Sequence, residues 1–449
     1  MITFQDMQTS LANGEKVTEF VKRVIADHKG SAAYSMAEIA DAYNRHKNLT
    51  IMAYQKLLYT ISGKAVPDNF SANYKLRTNI FNRFVRQQNQ YLLGNGVEWG
   101  KDDTEAKLGT PQRPFDNILQ EAGEKAIVHG EAFGFWDMDH VTVFSFLEFA
   151  PILDEETGAM KAGVRFWQLD DKHPLRATFY ELDGFTEFIY RKGNEGEILK
   201  EKRPYKLTLK GTDADGMEII DGTNYPSFPI VPLWANKYKQ SEFEGMQENI
   251  DAYDLIKSGF ANNIDDASEI FWIIQNAGGM DDIDIAEFMQ KLKTKHAANV
   301  DDDQKVEPNT ITIPTAAREA MLDRLRADMY EDFMALDTKN LASGAVTATQ
   351  IEASYEPMDE KANDYEYCIL EFISGICQLA GVEDTPTFTR SKVINVNENI
   401  QTILQGAQYL STEYVTTKVL TLLGDGDKAE EVLKEMDNED INRFGGNNE

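Results

Sequence analysis

The chain has 449 residues, too many for one simple core, and its 42% apolar and 10% aromatic content excludes a disordered polymer. Forty-five basic residues against seventy-five acidic ones leave a net charge of −30. That balance excludes a basic footprint for gripping phosphates; it fits either an ordinary acidic surface or a wall that DNA passes without sticking.

Residues 15 to 60 place apolar side chains at helical spacing: Val17, Phe20, Val21, Val24 and Ile25, then Ile39, Tyr43, Ile51, Tyr54, Leu57 and Leu58. Gly63 and Pro67 interrupt this pattern. From Ser71 a helix is predicted through NYKLRTNIFNRFVRQQNQYLLG, ended by Gly94-Asn95-Gly96. Pro114 to His129 reads as a further helix. Beyond Gly130, short aromatic and β-branched runs separated by turn signals predict an antiparallel meander of about five to seven strands across residues 131–222. Residues 224 to 234, with Pro226, Pro229 and Pro232, form an extended exit.

From Glu242, Ile250, Tyr253, Ile256, Phe260, Ile264, Ala267 and Phe271 step by three and four, predicting a helix of about 25 residues, roughly 38 Å long. EIFWIIQN favours a strand. A small insert follows: Gly278-Gly279, a helix through IAEFMQKLKTKHAAN, the run Asp301-Asp302-Asp303, and a strand in NTITIPT. A second long helix begins near Thr315, with Leu322, Leu325, Met329, Phe333 and Leu336 on one face. TKNLASGAV, residues 338 to 346, breaks it with small and polar residues. The third helix begins near Thr347, and Ile351, Tyr355, Met358, Ala362, Tyr365, Ile369, Phe372, Ile376 and Leu379 alternate steps of four and three, a seam that demands a packing partner. Pro357 should bend this helix and Gly381 ends it. TFTRSKVIN is strand-like, Glu398 to Leu410 helical, a short helical pair follows, and the end from Gly424 is acidic.

Cys368 and Cys377 lie nine residues apart in the third helix, about 13 Å along its axis, so they cannot pair; they fit buried apolar positions in a reduced compartment. MITFQDMQTSLANGEK lacks a basic region followed by an apolar run, and no segment approaches the roughly 18 apolar residues of a spanning helix. Assembly in the cytosol is expected.

Chemistry is poorly represented. Neither G-x-x-x-x-G-K-[ST] nor a G-x-G-x-x-G after a strand occurs, and H-E-x-x-H and paired C-x-x-C are missing. His129 has no accompanying nucleophile motif and reads as structural. Asp213, Asp215 and Gly216 read as a tight turn, since the third acidic ligand and terminal Glu of a calcium loop are absent. Asp265-Asp266 and Asp301-Asp302-Asp303 read as solvated acidic faces. No catalytic residue, cofactor or metal is expected. Lys291, Lys293, Lys295 and His296 form a basic cluster in the insert, fitting either cations near a helix C-terminus or a docking patch for an acidic partner.

PSFPIVPLWANKYKQSEFEGMQENIDAYDLIKSGFANNIDDASEIFWIIQNAGG resembles the stem entry of siphophage-type portal proteins of tailed phages. The resemblance rests on Pro229, Ile230 and Val231, on Ile250 to Asp254, on Asn262 or Asn263, and on Asp265-Asp266. NYKLRTNIFNRFVRQQNQYLLGNGVEW is similar to the family's early helix, and LASGAVTATQIEASYEPMDEKANDYEY to its small-residue loop and kinked helix, with Ser343-Gly344 as the landmark. The order of elements agrees across about residues 40 to 420.

The resemblance implies an α+β, mostly helical portal fold. It comprises a β-rich wing (1–241), a stem helix (242–268), a small α/β clip (269–314), a second stem helix (315–337), a tunnel loop (338–346), a kinked helix returning to the wing (347–397), and a short helical crown with an acidic tail (398–449). It further implies a cyclic homo-oligomer, usually dodecameric, at one capsid vertex, through which double-stranded DNA is packaged and ejected. Thr338, Lys339, Asn340, Leu341, Ala342, Ser343 and Gly344 would face DNA, with Lys339 and Asn340 foremost. Lys291, Lys293, Lys295 and His296 would meet partners at the clip. The implied partners are the large terminase, head-completion or neck proteins, and the major capsid and scaffold proteins, with no membrane. The competing readings are another head or adaptor component, which lacks paired long helices around an insert, and a metal-dependent hydrolase, which lacks ligand spacing here.

Overall fold

Thr3 and Asp6 cap the first helix, Phe4–Ala12, reciprocally: the Thr3 hydroxyl accepts from the Asp6 N–H and the Asp6 carboxylate from the Thr3 N–H. Helices Val17–Lys29, Ala32–Asn44 and Leu49–Ala53 follow. The computed structural model describes residues 1–59, 63–68, 71–192, 196–212, 218–267, 271–275, 283, 305–309, 314–341, 348–392, 396–423, 426–429 and 431–436. Leu57 and Leu58, expected in a helix, instead form the strand Leu57–Tyr59, paired with Ala65–Pro67. Gly63 at φ 78 allows the chain to reverse between them.

The expected meander is split into two sheets and a hairpin. Phe149–Leu153, Met160–Trp167, Leu175–Glu181, Gly184–Tyr190 and Glu197–Arg203 form a five-stranded antiparallel sheet in chain order. Lys206–Thr212 pairs with Glu218–Thr223 as a separate ribbon. Glu131–Trp136 lies between Val141–Ser145 and Ile230–Trp234, so the proline-rich exit returns to pair with the first strand, Ile230 opposite Phe135 and Trp234 opposite Glu131. Ile230–Trp234 is an edge strand, which is why Pro232 fits within it.

Two large hydrophobic cores result. In one, Phe20, Val21, Val24 and Ile25 of the second helix pack on Val164, Phe179 and Phe188 of the five-stranded sheet. In the other, helices Ile80–Leu93 and Phe115–His129 pack with the three-stranded sheet and with helix Ala348–Ala380. Gly134 belongs to this second contact, because a Cβ there would come within 2.6 Å of the Phe372 ring. Phe133 and Phe149 join the sheets with ring centroids 4.6 Å apart.

The three long helices run Gln247–Ala267, Thr315–Phe333 and Ala348–Ala380. The first starts five residues later than expected, because residues 242–246 turn over Ser241, whose hydroxyl donates to the Val128 carbonyl at 2.6 Å and accepts from the Phe243 N–H. Strand Phe271–Gln275 follows the first helix as anticipated, but its partner is Lys305–Asn309 rather than NTITIPT, of which residues 310–313 lie outside the described residues. The insert helix and the turn at 213–217 also fall outside them. Pro357 lies inside the third helix, where it donates no hydrogen bond to the preceding turn. TFTRSKVIN forms no strand among the described residues, since Thr387 makes only an isolated bridge to Glu98. Helices Val396–Gly406 and Thr412–Leu423 follow.

Candidate functional site

Helices Gln247–Ala267 and Thr315–Phe333 pair antiparallel. The Asn249 amide donates to Asp332 at 3.0 Å, and the Arg318 guanidinium lies 5.9 Å from the Phe260 ring, so partner numbers fall as helix positions rise. The covered face of the first helix is not its apolar stripe. Ile250 is buried, but Asp254, Ser258 and Asn262 continue that face, while Leu255 and Ile264 are 44% and 53% exposed. On the second helix Leu325, Met329, Tyr330 and Phe333 are buried, whereas no residue from 314 to 324 is. The second helix is thus rooted in the core at its C-terminal end and uncovered toward Pro314, whereas the first buries a polar face as far as Asn262.

What lies on the polar face of the first helix is the segment expected to begin the helix at Ser71. That helix starts only at Ile80. The preceding backbone is extended: the N–H groups of Tyr74, Leu76 and Thr78 donate to the side chains of Asn262, Ser258 and Asp254 at 2.6, 3.0 and 2.9 Å. Alternate residues of an extended chain advance about 6.7 Å and every fourth helical residue 6 Å, so three rungs register before the mismatch accumulates. Asn48 donates to the other Asp254 oxygen at 2.9 Å, and Tyr43 and Thr50 donate to Asp251 at 2.5 and 2.6 Å. Burial pushes the Asp254 carboxyl up, against the lowering effect of Thr78 and Asn48. Asp, Ser and Asn at i, i+4 and i+8 of one helix were the available signal for this ladder.

The second helix ends at Met334, held in the left-handed region at φ 60. Leu336, expected on the helix face, lies beyond this end and is buried among Tyr91, Tyr355, Met358 and Ala362. Gln87 donates to the Leu336 carbonyl at 3.0 Å. Arg326 forks onto Asp337 with bonds of 2.9 and 2.7 Å, and the Lys339 N–H donates to the same carboxylate at 3.0 Å. Burial raises the Asp337 carboxyl, but these donors outweigh it and hold it below the usual range. Thr338–Leu341 then forms one helical turn rather than an irregular loop. Thr338 and Lys339 are exposed, and Arg83 donates to the Thr338 hydroxyl at 3.2 Å. Asn340 and Leu341 complete the turn; Ala342, Ser343 and Gly344 lie outside the described residues, as do Lys291, Lys293, Lys295 and His296.

The packing partner that the seam of the third helix demands lies within the chain. Tyr355, Met358, Ala362, Tyr365, Ile369, Phe372, Ile376 and Leu379 are all buried there. Cys368 and Cys377 are buried free thiols, both raised to about 11 by burial. His129 sits 3.5 Å from Asp41 at the end of its helix. Among the described residues no group of histidine, cysteine and carboxylate side chains could hold a metal, and no helix is long and apolar enough to cross a membrane.

With paired long helices rooted beside the sheets and a long third helix following, the chain has the arrangement that the resemblance to phage portal proteins implies. It belongs to the family described as phage portal protein, SPP1 Gp6-like, which matches residues 40–442. The portal protein of Bacillus phage SPP1 is 24% identical over 397 aligned positions, covering 78% of this chain and 74% of that protein. The portal protein of Clostridium phage phiCD119 is 27% identical over 256 aligned positions, covering 51% of this chain and 56% of that protein, so the match spans little more than half that relative's length. Among solved structures, chains from the virion of a native gene transfer agent particle and from the neck of an empty one, computed with C6 symmetry, align at 10% identity. Their TM-scores are 0.45 and 0.46; both cover 77% of this chain, and 89% and 90% of theirs.

Proposed function

We propose that this chain is one protomer of a cyclic homo-oligomeric ring, dodecameric by family resemblance, set at one capsid vertex as the channel for DNA packaging and ejection. In this reading 1–241 is the wing, 242–268 and 315–337 the stem, 269–314 the clip, 338–346 the tunnel loop, 347–397 the helix returning to the wing, and 398–449 the crown. The role is structural and non-enzymatic. The large terminase, and later the neck or head-completion proteins, dock at the clip, while capsid and scaffold proteins surround the ring.

The observation that carries the reading is the pair of long helices that leave Leu255, Ile264 and Met321 uncovered, the last 45% exposed. Such faces suit a head-to-tail interface closing into a ring. The net charge of −30 supports a channel wall that does not hold DNA, because contacts with many phosphates would bind tightly instead of permitting sliding. Electron microscopy of the purified protein tests this: rings with a central channel are expected, and isolated monomers at micromolar concentration would refute it. Lys339→Ala should leave ring assembly normal and alter packaging; loss of rings would argue against a lumenal loop. Tight, salt-sensitive DNA retention by the ring would sink the non-adhesive wall.

A further inference from the structure

The five-stranded sheet carries a concavity of about 1080 Å³ that shares no lining residue with the three long helices. Lys22 reaches it from helix Val17–Lys29, Lys172 from the turn joining the second and third strands of that sheet, and Lys192 from just beyond the fourth. All three are exposed, and none has a carboxylate partner among the described residues. The neighbouring side chains are already matched: Arg191 pairs with Glu197 at 2.5 Å and the His173 ring with Asp170 at 2.7 Å. Among the described residues the lining contains one carboxylate, Asp171, and its apolar members include Pro174, Leu175 and Tyr190. In a chain with thirty excess negative charges, three unmatched ammonium groups around one hollow stand apart.

We propose that this hollow docks an acidic polypeptide segment of a partner protein, its carboxylates meeting the lysines while its aliphatic side chains cover Pro174 and Leu175. A duplex is disfavoured because it carries one charge per about 1.7 Å and would meet the repulsion of the whole acidic chain, whereas a short segment brings only a few charges. A phosphate headgroup is also a poorer fit. Planar forks and converging N–H groups suit phosphate, but Arg191 already pairs with Glu197 through Nη1 and lysine offers only a point charge. The position on the sheet side directs the partner to the wing rather than to the channel helices, a placement that rests on the portal reading; the binding chemistry does not.

Fluorescence anisotropy of a labelled oligoglutamate peptide against the full chain tests the proposal, with a labelled DNA duplex as comparison. Binding is expected at about 50 mM salt, weakening at least about tenfold by 300 mM as screening shortens. The triple variant Lys22→Glu/Lys172→Glu/Lys192→Glu should lose at least about tenfold in affinity while retaining the oligomeric state of the parent, since all three side chains are exposed. Absence of peptide binding at low salt, equal binding by the variant, or tighter binding of the duplex at this hollow would each overturn it. Failure of rings to form would instead strike the portal reading, leaving the peptide result interpretable on its own.

Discussion

Lys361 Nζ lies 2.7 Å from the Glu242 carboxylate and donates to the Phe333 carbonyl at 2.9 Å, beneath which the Phe333 ring centroid is 3.3 Å away. One ammonium on the third long helix therefore joins the approach to the first and the end of the second. Burial lowers the pKa of Lys361 despite Glu242, so the pair stands at a site where either charge alone is costly. Lys361→Met should destabilise the protein by about 3 kcal/mol, leaving Glu242 only partly satisfied by Asn236 at 2.9 Å. Lys361→Met/Glu242→Gln should recover most of that loss. Urea unfolding midpoints of both variants check it, and equal destabilisation would show that the ammonium acts by packing alone.

The ladder between residues 74–78 and the first long helix predicts unequal costs along one face. Asp254→Ala leaves the Thr78 N–H and the Asn48 amide without their acceptor and should cost about 2–4 kcal/mol. Ser258→Ala removes the partner of the Leu76 N–H and should cost about 1 kcal/mol. Hydrogen exchange reads the difference directly: the Thr78 amide should be deprotected in the first variant and the Leu76 amide in the second.

That ladder also shows where the sequence was legible. The third-helix seam from Tyr355 to Leu379 was readable because each apolar position meets apolar partners, and the helix runs nearly as its pattern requires. Residues 71–79 were misread because their backbone amides are satisfied by side chains nearly two hundred positions away, an option local propensity does not encode. The return of Ile230–Trp234 to Glu131–Trp136 was hidden for the same reason, since alternation identifies strands without naming their neighbours. The second helix breaks at Met334, before Thr338 and Lys339, which sit in a helical turn, and the Arg326–Asp337 fork that anchors this turn left no local motif.

Glu131 provides a pH signature independent of assembly. Burial raises its carboxyl from about 4.5 to about 7, with Lys239 and Trp234 opposing only part of the shift. The folded state therefore holds this proton more tightly than the unfolded state, so stability falls as pH rises from about 4.5 through 7 and remains reduced above it. Glu131→Gln should be nearly neutral at pH 4 and stabilising by roughly 2 kcal/mol at pH 8, the full shift setting an upper bound. Melting temperatures at the two pH values provide the measurement; a variant equally stable relative to the parent at both would contradict the raised carboxyl.

The Arg326–Asp337 fork sets how firmly the second long helix delivers Thr338 and Lys339. Asp337 accepts two guanidinium bonds and the Lys339 N–H, so its charge orders both the helix end and the following turn. Asp337→Asn should retain one acceptor, weaken the fork by about 1–2 kcal/mol, and speed amide exchange at Lys339 by about tenfold. Arg326→Lys should behave similarly despite keeping the charge, because an ammonium cannot reproduce the two parallel bonds. The Leu336 anchor, buried in its own cluster, should keep the rest of the helix end protected. Exchange that accelerates across residues 325–333 as well would mean the fork holds the helix itself, not the turn it delivers.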